Sequence, residues 1–199
     1  MKLYWSATSP FARKVMITAH ELGIANRVEL IPTVTADEPA HLLEVNPSGK
    51  LPVLLTKDGA IPNSPLICEY LITKFGGGDI LAATGPARWK LLAFSARADA
   101  MVDAAILVRM EKMRTEQLQS AAWITKQMGK LHRSLDHFES EAAGLTENFD
   151  AGQIALAAAI GWLTLRFTDH NILTTRLALG EWFARVSMIA SMKETEPLK

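Results

Sequence analysis

Two stretches of the chain carry residues whose types and spacing suit chemistry. In the first, the turn-rich Asn46-Pro47-Ser48-Gly49 leads into Lys50-Leu51-Pro52-Val53 and a short β-prone run to Thr56. A proline cannot donate to a sheet ladder, so Pro52 belongs at the strand's first residue, a common setting for a cis bond. With Leu51-Pro52 cis, the backbone N–H and C=O of Val53 are expected to face outward and to pair with an extended peptide. The hairpin signal Asp58-Gly59 then leads to Asn63-Ser64-Pro65. Ser64 there stands at a helix N-terminus with Pro65 at the first helical position, a ready seat for a carboxylate. These parts together suit a peptide-like anion.

The second stretch is Thr8-Ser9-Pro10, where Ser9 is the expected N-cap and Pro10 the first helical residue. Capping alone explains a serine before a proline, but the hydroxyl also sits at the positive end of a helix. Thr8 is the competing hydroxyl, while Tyr4 reads as a packing residue inside a strand. Cys68, the single cysteine, lies in an apolar helical run and reads as core. The five histidines show no metal-ligand spacing, and Gly76-Gly77-Gly78 follows a helix instead of opening one, so neither a metal nor a phosphate loop is expected.

The elements that position these residues follow from pattern. Lys2 to Ser6 alternates as a strand, with Leu3 and Trp5 on one face and Tyr4 on the other. A helix runs from Pro10 to a stop at Gly23; Arg27 to Pro32 is a second strand, and Pro39 to Val45 a short helix. After the hairpin, Pro65 to Phe75 is helical. This order predicts a four-stranded mixed sheet carrying helices. From Gly85-Pro86 onward strand signals cease. Residues 87–117 and the stripe Ile124, Met128, Leu131, Leu135 and Phe138 have helical spacing. Asp150 and Gln153 form a capping box before Ile154 to Leu165, apolar nearly all round and therefore buried. A last helix is expected over 174–188 and a frayed tail over 193–199. The division is an α/β domain over 1–78 and an all-helical domain over 86–199.

Lysine plus arginine equals aspartate plus glutamate at 21 each, which argues against general binding to nucleic acid or anionic membrane. With 49% hydrophobic residues among 199, a sizeable core can form. One cysteine and no signal-peptide pattern at Met1 to Ser6 suit a cytoplasmic protein, and no apolar block reaches the ~20 residues that span a bilayer.

Lys50-Leu51-Pro52-Val53, the hairpin and Asn63-Ser64 resemble the glutathione-binding half of the glutathione S-transferases, and Ser9-Pro10-Phe11-Ala12-Arg13 resembles the Ser-type active-site motif of bacterial members. The capping box and Glu181-Trp182-Phe183-Ala184-Arg185-Val186 extend the likeness to the end of the chain. The resemblance implies a thioredoxin-like N-terminal domain, an all-α C-terminal bundle and a homodimer. It further implies that glutathione is co-substrate, that Ser9 steadies its thiolate, and that Phe11, Lys50, Pro52, Val53, Asn63 and Ser64 hold the tripeptide. Asn63 stands where the family usually has Glu, so no charge meets the γ-glutamyl ammonium. The implied reaction is conjugation of an apolar electrophile, with Met101, Met110, Met113, Trp162 and Phe167 as candidate walls. The alternative is a binding protein of the same fold with little turnover. Asp99 and Asp103 read as surface or interface residues.

Overall fold

The computed structural model describes residues 1–145 and 148–197. Its first part is a sheet of four strands, β1 (Lys2–Trp5), β2 (Glu29–Pro32), β3 (Val53–Thr56) and β4 (Gly59–Pro62), in the order β2-β1-β3-β4. β1 is parallel to β2 and antiparallel to β3, which is antiparallel to β4. Helices α1 (Pro10–Glu21) and α3 (Ser64–Phe75) lie on one face, where Leu3, Val15, Leu54, Ile67 and Leu71 are packed out of solvent. The other face carries Tyr4, Val53 and Leu42, the last from the short helix α2 (Ala40–Leu43). The expected alternation of Leu3 and Tyr4 is realised. Arg27 is not in the second strand, because residues 25–27 close a turn of 3₁₀ helix before it.

The second part is helical: α4 (Gly85–Lys112), α5 (Ala121–Ala142), α6 (Ala151–Arg166), α7 (Leu177–Val186) and α8 (Ala190–Glu194). α6 is buried continuously from Gly152 to Leu163, as its all-round apolarity predicts. It packs against α4 on one side and α1 on the other, so it joins the two parts. Two glycines allow this closeness. A Cβ at Gly152 would lie 2.9 Å from the Phe94 ring of α4, and one at Gly161 would lie 2.2 Å from the Arg13 guanidinium of α1.

Three boundaries differ from expectation. α4 stops at Lys112, and residues 116–118 form a separate 3₁₀ turn. α7 begins at Leu177 because the Glu139 carboxylate of α5 accepts from the Ala178 and Leu179 N–H groups at 3.1 and 2.7 Å, filling the donors of its first turn. The tail is not frayed through Thr195: α8 docks on α1, where buried Arg13 donates to the Met192 carbonyl at 3.0 Å and to the Thr195 hydroxyl at 3.4 Å. Leu198 and Lys199, the last of that expected tail, lie outside the described residues.

Candidate functional site

Sheet register brings three segments to one edge. Tyr4 pairs with Val53 and Val53 with Pro62, so the loop after β1, the turn before β3 and the turn after β4 adjoin. These are the segments that carry Ser9, Lys50 to Pro52, and Asn63 with Ser64.

Ser9 caps α1 with extended backbone, and its half-buried Oγ accepts the Ala12 N–H at 3.2 Å. That bond uses a lone pair and leaves the hydroxyl proton available to donate. Thr8 is exposed and its hydroxyl lies 3.2 Å from the Ser6 hydroxyl. Tyr4 is buried and stacks on His41. Phe11, half-buried, packs on the core of the helical part.

The Leu51–Pro52 bond is cis, as expected. Val53 does not match its expected role: it lies within β3 with β1 on one flank and β4 on the other, leaving no room beside it for an added strand. Leu51, just before the cis bond, has a backbone N–H and C=O that make no hydrogen bond among the described residues. The turn before it is firm, since buried Asn46 donates to the Lys50 carbonyl at 2.9 Å and accepts from the Ser48 hydroxyl at 2.9 Å. Lys50 itself is exposed.

Asn63 is exposed with φ 76° and ψ 121°, a backbone region that a non-glycine residue rarely adopts, and its carbonyl accepts the Ile67 N–H to start α3. Ser64 follows as the buried first residue of α3, among N–H groups that have no partner within the helix. Such an end favours an anion.

Behind the edge, buried Lys14 of α1 donates to both oxygens of Asp99 of α4 at 2.7 Å. Asp103, one turn on, has its carboxyl raised above the ordinary range by desolvation and by Asp99, with Lys50 and Lys14 acting against the shift. Cys68 is buried, accepts from the Thr18 hydroxyl at 3.4 Å and is pushed up by burial, so it is an inert thiol. Among the described residues no group of three His, Cys, Asp or Glu could hold a metal, and no helix is long and apolar enough to cross a membrane.

The candidate wall residues separate. Met101 and Trp162 are core, whereas Met113 and Phe167 border a cleft of about 230 Å³ between the ends of α4 and α6. Arg109, Lys112, Arg166 and His170 line the same cleft. Sequence reasoning did not single out these four or Leu51. Arg109 and Lys112 share a helical face at i,i+3, a visible signal, but nothing in sequence ties them to Arg166.

Family models described as glutathione S-transferase N-terminal domain and glutathione S-transferase C-terminal domain match residues 8–74 and 121–185. The chain is 30% identical to an uncharacterized GST-like protein, YibF, of Escherichia coli K12, with 100% of each chain covered. A glutathione transferase family member from Pseudomonas fluorescens, solved with bound glutathione, superposes with TM-score 0.95 at 33% identity over 100% of this chain and 99% of that one. A structure from the same organism with bound S-(propanoic acid)-glutathione gives TM-score 0.90 at 34% identity, with 100% of both chains covered.

Proposed function

The chain belongs to the glutathione S-transferase family, and from that premise we propose that it conjugates glutathione to an electrophilic small molecule, with Ser9 steadying the thiolate. The single observation that carries this reading is the Ser9 hydroxyl. Its oxygen is held by the Ala12 N–H, its proton has no acceptor among the described residues, and it stands at the N-terminus of α1. A free thiol has a pKa of about 8.5 and is mostly protonated at neutral pH. One hydroxyl donor and the helix dipole contribute on the order of 1 kcal/mol each, together about one to two pKa units. That brings the thiol pKa to about 7, so that about half of the bound glutathione is thiolate at neutral pH.

In this reading glutathione lies along the sheet edge, its cysteinyl backbone against the open N–H and C=O of Leu51. Its γ-glutamyl carboxylate is at Ser64 and the start of α3, with Asn63 alongside, Pro52 shaping the turn, Phe11 flanking the thiol and Lys50 within reach of the glycyl carboxylate. The thiolate sulfur forms a bond to the electrophilic carbon, and the displaced electron pair departs on the leaving group or is protonated. The relative that binds S-(propanoic acid)-glutathione supports products of this kind. A two-fold homodimer through α3 and α4 fits Leu66 and Trp89, which are 51% and 69% exposed there. A reducing cytoplasm suits a thiol substrate and the single buried cysteine.

A second reading, a glutathione-binding protein with little turnover, draws on Asn63, which brings no charge to the γ-glutamyl ammonium. Steady-state kinetics separate the two. Ser9→Ala should lower kcat/KM for conjugation roughly five- to tenfold with glutathione affinity nearly unchanged, as expected for one hydrogen bond of about 1 kcal/mol made mainly to the anion. Equal rates in variant and parent would remove Ser9 from the reaction.

A further inference from the structure

Lys112 closes α4 and Arg166 closes α6, and both face the cleft of about 230 Å³ together with Arg109. Asp169 is the one carboxylate on its wall. The fourth basic group, His170, is not a cation there: the Lys112 ammonium lies 3.2 Å from its Nε2, which must therefore act as acceptor. Neither Arg109 nor Arg166 makes a side-chain hydrogen bond or ion pair among the described residues. Three fixed cations thus converge on one cleft against a single carboxylate. Cations at helix C-termini complement the dipole, which accounts for Lys112 and Arg166 one at a time. The same holds for Arg109 in the last turn of α4, but the dipole does not account for the convergence of two helix ends on one cleft, nor for its apolar lining of exposed Met113 and buried Phe167, whose ring packs on His170 at 5.6 Å.

We propose that this cleft seats a carboxylate carried by the acceptor molecule, held by Arg109 and Arg166 while Met113 and Phe167 take its apolar body. The proposal rests on the transferase reading for the word acceptor. A guanidinium presents two parallel N–H donors matched to a carboxylate, and an anion between like charges relieves their repulsion. The volume falls below the roughly 300 Å³ at which whole-ligand pockets begin, so the cleft fits one end of a ligand. Its place is right for that. Arg13, in the first turn of α1 after Ser9, touches α6 at Gly161, and Arg166 lies five residues further, about 7.5 Å along the helix. The Ser9 loop and the cleft therefore flank one α1–α6 contact.

The test is isothermal titration of the full chain with para-aminobenzoate and with para-aminobenzamide, which differ in charge and do not react with thiols. In the parent the carboxylate should bind about tenfold or more tightly than the amide, the worth of one charge-assisted contact. Arg166→Ala and Arg109→Ala should each weaken the carboxylate about tenfold and the amide less than twofold, with Arg166→Lys intermediate. Equal binding of the two probes by the parent, or equal weakening of both by the variants, would overturn the proposal. Because no glutathione chemistry enters the readout, the cleft and the transferase reading fail separately. A chain that distinguishes the probes without lowering a glutathione thiol pKa keeps the cleft and loses the reading, and the converse result does the opposite.

Discussion

The Lys14 ammonium of α1 sits 2.7 Å from both carboxylate oxygens of Asp99 on α4, with the lysine side chain 3% exposed and the aspartate 18%. This pair spans the seam between the sheet-bearing part and the helical part, one turn of α1 beyond the residues that start it. A buried pair gives little net stability, yet removing one member strands the other's charge. Asp99→Ala should therefore destabilise the chain by about 3 kcal/mol in denaturant unfolding, and Lys14→Met with Asp99→Leu should recover most of that loss. A double variant no better than Asp99→Ala would show that the ion pair itself holds the seam.

Asn63 combines a positive-φ backbone, φ 76° and ψ 121°, with an uncharged amide. At ψ 121° this backbone lies outside the basin in which asparagine is favoured, so Asn63→Glu should change unfolding stability by less than about 1 kcal/mol. It should also tighten glutathione binding about tenfold through the new charge on the γ-glutamyl ammonium. Unchanged affinity by titration would show that Asn63 does not face that ammonium.

The imidazole of His170 is held below its ordinary value of 6.5, first by burial, then by Lys112 and His132, with Asp169 opposing. The folded value is the depressed one, so the histidine's contribution to stability is present above about 6.5 and is lost as pH falls through the lower folded value. Imidazole proton resonances should place the His170 midpoint below 6.5 in the parent and nearer to it in Lys112→Ala. An unmoved midpoint would show that Lys112 does not act on the ring.

What could be read in advance was mainly local. Pro52 before a β-prone run announced a cis bond, and Leu51–Pro52 is cis. Asp150 before the apolar run announced a cap, and its Oδ1 accepts the Gln153 N–H at 2.9 Å. The reciprocal half of the box is absent, because the Gln153 amide oxygen accepts from the Trp182 indole at 3.0 Å, a partner 29 residues away. Local spacing cannot forecast such a partner. The same limit hid the role of Leu51, since which flank of β3 is filled depends on strand order and not on the residues near Pro52. It also hid the α8 dock, where a charged tail looked loose until Arg13 met Met192. The cationic cleft joins two helix ends more than fifty residues apart, legible only once α4 and α6 lie side by side.

The thiolate claim is tested most directly by following the ultraviolet absorbance of bound glutathione as pH is raised, in the parent and in Ser9→Ala. The account predicts saturable binding to both, with the thiol pKa about one to two units below its free value of about 8.5 in the parent and about half of that depression, the hydroxyl's share, lost in the variant. An unshifted thiol in the parent, or the same depressed value in both proteins, would contradict it.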